Sequence, residues 1–383
     1  MMADGAREHR LKLCVLGVSS SIHVQRRSVC FVRRGHEVTV VSPVPHEIAG
    51  VRNICIPSAW GAKKAQIPLY VLRLMRAIWK LRPDIVHVHY AGVYELLACY
   101  LAGRPYVVTM IGSDILKKLD GTMGGLKKRV MVSCLKRASL LNSVSDEITN
   151  VVRKHIGTDK RIIKVAWGID LDIFRPLYKL QSRQRFGIDD NKFVILSPRL
   201  MKPLYNIDTI IRAVALLPHE INYLLILCSY NADSEYKNYL LNLVREHQIE
   251  GEVKVLGVID NETMPYIYSA ADVSIMIPDS DGMPISLLEA MACGVPNILS
   301  NLPNYDEIVE DNVSATYAEI KPEAVAAQIM RIYENDNFAL SIIENAQKRI
   351  RQLQSFNDDV VAIEQEYYRI VQGHRKEAMN ASL

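Results

Sequence analysis

The sequence predicts an α/β protein built from two Rossmann-like, doubly wound domains. Three observations carry this. Short apolar runs alternate with helix-forming stretches along most of the 383 residues, the pattern of a parallel sheet covered by helices. The alternation is interrupted once, by the Gly/Pro/Asp-punctuated "AWGIDLDIFRPLYKLQSRQRFGIDD" at 166–190, and then restarts. Finally, 49% hydrophobic and 23% charged residues make a globular composition, in a chain long enough for two or three full cores.

In chain order, "LKLCVLG" (Leu11–Gly17) reads as a buried strand and "SVCFVRRG" as the helix behind it. "HEVTVVSP" alternates like a strand, and "PDIVHVHY" and "RPYVVTMIG" each follow a helical stretch. The second series begins at "NKFVILSPR" (Asn191–Arg199) and continues through "NYLLILCSY", "EVKVLGVI", "ADVSIMIP" and "VPNILSN". The expected division is 1–176, 177–355 and a terminal helix and tail at 356–383 packing back on the first domain. Ligands of open parallel sheets gather beyond the C-terminal strand ends, so two facing domains imply a cleft.

No apolar run reaches the roughly 18 residues that cross a bilayer, and the N-terminus lacks the layout of a secretion signal. Seven cysteines without a C-x-x-C pair fit free thiols in a reducing compartment. The expected location is the cytoplasm, peripheral to the inner face of a membrane. The reason is charge: residues 1–176 hold 28 Lys+Arg against 13 Asp+Glu, while the remainder holds 18 against 29. A basic half suits an anionic partner, either a membrane surface or a phosphate-bearing acceptor. "LYVLRLMRAIWKLR", with Arg73, Arg76 and Lys80, and "GGLKKRVMVSCLKRA", with Lys127, Lys128, Arg129, Lys136 and Arg137, are basic helices that can lie on lipid. Solvated surface helices are the plainer reading of either alone. Nucleic acid is not expected, since no binding motif accompanies the charge.

The chemistry concentrates in "DSDGMPISLLEAMACGVPNI", Asp279–Ile298. "DVSIMIP" is a strand, and "ISLLEAMACG" is a helix stopped by Gly294 with Pro296 beyond. The turn between them delivers the chain to a helix N-terminus, whose unpaired amides and positive dipole end match a phosphate. Gly282 permits close backbone approach, and Pro284 needs no N–H in a first turn. Met283, Ile285 and Ser286 complete that turn. Glu289, a helical turn further in, can accept two hydroxyl hydrogen bonds, as from a ribose. Asp281 lies on the other side of the phosphate, within reach of a second polyol. An ordinary capped helix with one exposed glutamate is the competing reading.

This run resembles the E-x(7)-E signature of the retaining GT-B-fold glycosyltransferases, the group 1 family. Asp281-Gly282-Met283-Pro284, Glu289-Ala290-Met291-Ala292, Gly294 and Pro296 follow the pattern, with Asp in place of the first Glu. "RRGHEVTVVSP", "DIVHVHYAG", "WGIDLDIFRP", "YSAADVSIMIP" and "LPNYDEIVEDN" are similar to its other landmarks. The resemblance implies transfer of a sugar, with retention, from a UDP- or GDP-sugar to a sugar or lipid-linked acceptor in cell-envelope polysaccharide or glycolipid synthesis. It implies Arg199 as a donor-diphosphate ligand; the usual lysine falls in "PLYN", leaving Lys202 nearby and out of register. Fixed cations there stabilise the leaving diphosphate.

On the N-terminal side the family's glycine pair is replaced by Gly17-Val18 and serines, leaving the amides and hydroxyls of Ser20 and Ser21 for the donor. His23, His89 and Asp114 are the acceptor-side candidates, and His87 reads as a core histidine. Many relatives carry a histidine where this chain has Ile111, so a reaction on one face, with the donor's phosphate taking the acceptor's proton, is expected. "DSD" at 279–281 also admits a D-x-D metal site, but the two αβ halves and the cations argue against metal dependence, and no zinc spacing is present. The alternatives are a nucleotide-sugar 2-epimerase and a catalytically silent donor-binding subunit.

Overall fold

The structure is a computed structural model that describes residues 10–57, 66–112, 114–116, 118–165, 168–229, 232–282, 284–353 and 356–381. The chain divides into two units, Met1–Trp167 with Asp358–Leu383, and Gly168–Asn357.

The first unit comprises β1 (Lys12–Leu16), α1 (Ile22–Arg33), β2 (Glu37–Ser42), β3 (Arg52–Cys55), α2 (Ile67–Leu81), β4 (Ile85–His89), α3 (Val93–Ala102), β5 (Tyr106–Met110), α4 (Gly125–Arg137), β6 (Leu140–Ser143), α5 (Asp146–Ile156) and β7 (Ile162–Lys164). All seven strands are parallel, in the order β3-β2-β1-β4-β5-β6-β7. Every residue of β4 and β5 is buried, as in a parallel sheet covered on both faces, including the polar His87, His89 and Thr109. The strand order reverses direction between β1 and β4. Right-handed crossovers then place α1 on one face of the sheet and α2, α3 and α4 on the other.

The second unit comprises α6 (Lys179–Arg185), β8 (Phe193–Ser197), α7 (Ile207–Val214), β9 (Tyr223–Cys228), α8 (Ser234–Glu246), β10 (Val253–Leu256), α9 (Met264–Ala270), β11 (Val273–Met276), α10 (Ile285–Ala292), β12 (Asn297–Ser300), β13 (Thr316–Ala318), α11 (Pro322–Glu334) and α12 (Asp336–Gln352). Its six parallel strands run β10-β9-β8-β11-β12-β13, with the reversal between β8 and β11. Side chains alternate across the sheet into two cores. Val194, Leu196, Leu224 and Ile226 join Leu287 and Met291 of α10 on one face. Ile195, Leu225 and Leu227 join Ile210 and Ile211 of α7 on the other.

The units part at 167/168, earlier than the expected 176/177. Ile169 and Phe174 explain the difference, because both are buried in the second unit's core. The crossing segment is fastened further by buried Arg183, which pairs with Asp272 at 2.6 Å.

The last helix, α13 (Phe356–Ala381), belongs to the first unit. It lies against α1, with the Phe31 and Tyr367 rings 5.4 Å apart. Glu364 receives Arg34 Nε at 2.9 Å and pairs with His36 Nε2 at 2.7 Å. Although burial raises the Glu364 pKa, these two partners outweigh it and hold the carboxyl at about 2.

Candidate active site

In the second unit the loops after β8 and β11 meet at the reversal of strand order, where ligands of such sheets collect. Asn206, in left-handed backbone at φ 51°, donates its amide to Ile277 O (3.0 Å) and Asp279 Oδ1 (2.9 Å). The Asp279 N–H returns to Leu204 O. These bonds hold the post-β8 loop against the turn that opens α10.

Arg199 emerges from the end of β8 and is almost wholly buried. Its Nη1 donates to Ser286 Oγ at 2.9 Å, in the first turn of α10, and its Nη2 is 2.8 Å from Asp281 Oδ2. The guanidinium lies over the Tyr205 ring, 4.4 Å from its centre. Burial penalises the charge, but the Asp281 carboxylate more than offsets it and raises the Arg199 pKa above its ordinary value. Asp281 also accepts the Tyr305 hydroxyl at 3.1 Å and the Gly282 N–H at 2.9 Å. Asn304 donates to Gly282 O. Asp281 and Gly282 are therefore held in place by the protein itself.

Glu289 is buried on α10 and accepts the hydroxyl of Tyr268, from α9, at 3.0 Å. The helix begins at Ile285, with Pro284 as its N-cap and no side-chain cap. Pro284 thus precedes the first turn, one position earlier than expected. The uncapped amides remain the natural anion seat.

In the first unit the corresponding reversal lies between β1 and β4. At Gly17 an added Cβ would stand 2.9 Å from Val24 Cγ2 and 3.3 Å from His89 Cβ, so only glycine lets β1 pass into α1 here. A cavity of about 400 Å³ opens at these strand ends, lined among others by Gly17, Ser42, Tyr70, His89, Tyr90 and Glu95. Tyr70 donates to Glu95 Oε1 at 2.7 Å. Arg27 Nη1 is 2.6 Å from His89 Nδ1. Since a guanidinium can only donate, His89 accepts with Nδ1. Burial, with His87 and Arg27 nearby, keeps the His89 pKa well below that of a free imidazole. The His87 ring stacks on His89 at 4.1 Å and binds Thr109 Oγ1 through Nε2 at 2.7 Å. Burial lowers its pKa to about 3.

Residues 179–349 match the family described as Glycosyl transferases group 1, and residues 12–145 match Glycosyl transferase 4-like. The N-acetyl-alpha-D-glucosaminyl L-malate synthase of Bacillus anthracis is 23% identical over 274 residues, 70% of each chain. The chain belongs to the glycosyl transferases group 1 family. Among solved structures, sucrose-phosphate synthase from Thermosynechococcus elongatus superposes with a TM-score of 0.82 at 17% identity, covering 95% of this chain and all of that one. Anabaena HepE in complex with UDP-glucose gives 0.76 at 19%, covering 95% and 100%. This group 1 glycosyltransferase therefore has the GT-B fold, two Rossmann-like domains.

Of the residues singled out from the sequence of this group 1 glycosyltransferase, Arg199, Asp281, Gly282 and Ser286 are joined by contacts in the second unit, beside Pro284 and Ile285, and Glu289 lies one turn further along α10, bonded to Tyr268. Met283 lies outside the described residues. Lys202 stands on the same post-β8 loop, partly exposed, and its amino group makes no ion pair or hydrogen bond among the described residues. Ser20, Ser21, His23, His89 and Asp114 belong to the other unit. Ser20 and Ser21 are partly exposed between β1 and α1, with Ser21 at the N-cap, and His23 follows one turn before Arg27. Asp114 is fully buried, and its oxygens take the N–H groups of Ala91 (2.8 Å), Gly112 (2.7 Å) and Ile111 (3.1 Å). Its carboxylate anchors the loops that follow β4 and β5.

Sequence reasoning passed over Tyr205, Tyr268, Tyr305, Asn304 and Glu95. Tyr268 and Tyr305 stand inside the runs "YSAADVSIMIP" and "LPNYDEIVEDN", but a tyrosine carries no mark of which carboxylate its hydroxyl will reach. Among the described residues no cluster of three or more His, Cys, Asp or Glu is arranged to hold a metal.

Proposed function

We propose that this glycosyltransferase moves a hexosyl group, with retention, from a UDP- or GDP-sugar to an acceptor hydroxyl in cell-envelope polysaccharide or glycolipid synthesis. The observation that carries the reading is Arg199, a buried cation bonded at once to the first turn of α10 and to Asp281. The diphosphate would lie across the open amides of α10 with Arg199 against it. Negative charge grows on that group as the glycosidic bond breaks, and preorganised donors lower the barrier. Such a site does the neutralising without a metal, so no cofactor is required. Glu289, held by Tyr268, is the partner for the ribose hydroxyls, and Asp281 for the sugar.

The resemblance to the group 1 family supports retention. In the first unit Ile111 has no proton-accepting side chain and Asp114 is occupied by backbone amides, so neither is assigned as a base. The leaving phosphate oxygen is then the proton acceptor: the acceptor oxygen bonds to the anomeric carbon on the face the phosphate leaves, and its proton passes to that phosphate. Catalysis depends on positioning and charge. The cavity of the first unit, with Glu95 and His89 at its wall, is the acceptor's place, and the basic charge of that unit suits work at the inner face of an anionic membrane.

A second reading has one observation behind it. Asp281 already compensates Arg199, as it would in a silent subunit that binds donor without turning it over. Incubation with labelled nucleotide sugars, with and without membrane extract, separates the readings. Transfer or slow release of free sugar supports the transferase, an altered epimer the isomerase, and binding alone the silent subunit. Glu289→Ala should weaken donor binding at least about tenfold by calorimetry. An unchanged dissociation constant removes Glu289 from the site.

A further inference from the structure

Helices α2, α3 and α4 pack in that order on one face of the seven-stranded sheet. Helix α2 is amphipathic in an unusual way. Tyr70, Val71, Leu74 and Ile78 are buried against the sheet. The opposite stripe, Leu69, Leu72, Arg73, Arg76, Trp79 and Lys80, is exposed; its spacing keeps leucines, arginines and the tryptophan on one side. Helix α4 buries Met131, Cys134 and Leu135 and exposes Leu126, at 77% of its surface, with Lys127, Arg129, Lys136 and Arg137.

The helix between them joins the two stripes. Trp79 Nε1 donates to Ala102 O at the end of α3 (3.1 Å), and the residue stays 47% exposed. The Arg137 guanidinium sits over Tyr100, 5.6 Å from the ring centre, and Leu101 beside it is exposed. A shallow recess of about 540 Å³ on α4 is lined by Gly125, Lys128, Arg129, Val132, Ser133 and Lys136.

The charge on this face has one sign. Helices α2 and α4 together carry eight Lys/Arg and no Asp or Glu. The single acid of α3, Glu95, is half-buried and accepts the Tyr70 hydroxyl at the strand-end cavity. Isolated exposed leucines are ordinary on a protein surface. Leucines, a tryptophan and a tyrosine interleaved with cations only are the composition of a surface that settles into a headgroup layer. A soluble polyanion would satisfy the cations and leave Leu69, Leu72 and Leu126 in water, whereas a bilayer satisfies both.

We propose that the outer face of α2, α3 and α4 docks on an anionic lipid bilayer, with Trp79 and Leu126 entering the interface and the recess on α4 taking lipid phosphates. The inference extends the proposed function and can fail separately from it, because vesicle binding needs neither donor nor turnover.

The test is co-sedimentation of the whole chain with vesicles of phosphatidylcholine alone or with about one third phosphatidylglycerol. Binding to the anionic vesicles should exceed binding to the neutral ones at least about tenfold, weaken with salt, and shift tryptophan emission to the blue. The triple variant Lys127→Glu, Arg129→Glu, Lys136→Glu should lose roughly 100-fold in vesicle affinity while keeping its circular dichroism and its affinity for nucleoside diphosphate. Trp79→Phe should abolish the emission shift. Equal binding to both vesicle types overturns the proposal, as does a reversal variant that binds like the parent. Tight binding to short single-stranded DNA without vesicle binding overturns it too, in favour of a soluble polyanion.

Discussion

Nη2 of Arg199 lies 2.8 Å from Oδ2 of Asp281, so the cation at the end of β8 is already paired with the first acid of the spaced motif. Both side chains are nearly buried. Removing one partner leaves the other's charge uncompensated, and the two substitutions should not add. Arg199→Ala alone should cost about 3 kcal/mol of stability, and the double variant with Asp281→Ala should recover 1 kcal/mol or more, roughly the coupling of a contacting pair. Urea unfolding of the four proteins measures it. Strict additivity would mean the pair is a surface contact without energetic consequence.

Asp281→Asn keeps the shape of that contact and removes the negative charge beside the expected diphosphate. Nucleoside diphosphate should bind about tenfold more tightly, a gain near 1.4 kcal/mol, while turnover falls because the sugar loses a charged partner. Calorimetry and initial rates would show the two moving in opposite directions. Parallel losses would take Asp281 away from the sugar and leave it as a prop for Arg199.

Two tyrosine hydroxyls steer the two acids, Tyr305 to Asp281 and Tyr268 to Glu289. A hydrogen bond to a charged group contributes about 1.5–3 kcal/mol. Tyr268→Phe should therefore raise the donor KM roughly tenfold with little change in kcat, since it orients Glu289, the proposed partner of the nucleotide. Tyr305→Phe should act mainly on kcat, because Asp281 is the proposed partner of the reacting sugar. Identical effects from the two variants would show that neither tyrosine distinguishes ribose from sugar.

The carboxylate of Asp114 accepts three backbone amides at the ends of β4 and β5. Asp114→Asn substitutes an N–H for one accepting oxygen and turns it toward an amide donor. The expected cost is about 2–3 kcal/mol in urea unfolding, with donor affinity unchanged, because those loops belong to the other unit. A neutral outcome would mean the loops hold without it.

His87 and His89 are buried and neutral, with pKa values pushed down chiefly by burial, His87 to about 3. A histidine freed by unfolding titrates near 6.5. Their contribution is complete above about pH 6.5 and is lost as pH falls below it, for His87 toward about 3, because the unfolded chain takes up protons the folded one refuses. Each ring should add a slope approaching 1.4 kcal/mol per pH unit, roughly, in that window. Unfolding free energies measured between about pH 4 and 7 check it. His87→Gln should flatten the slope while lowering stability at neutral pH, and an unaltered slope would place the titration elsewhere.

Much of the fold could be read from residue order alone. Buried parallel strands are mostly apolar on both faces, so β4, β5, β8 and β11 announce themselves as short, largely apolar segments between helices. Gly282, Pro284 and Gly294 mark where α10 begins and ends, and Glu289 falls within it by counting. These features are local: backbone geometry and helical period dictate them within a dozen residues.

What the tertiary structure decided lies in contacts between distant segments. Arg199 reaches Ser286 across 87 positions, and Tyr367 of the last helix reaches His87 across 280. Such pairings depend on strand order and on which side of the sheet each crossover falls, and a linear pattern carries neither. For the same reason nothing in the residue order shows that Asp114, an acceptor-side candidate, is held by three backbone amides. The division at 167/168 also needed the folded core, since burial of Ile169 and Phe174, not a break in composition, decides which unit owns the crossing chain.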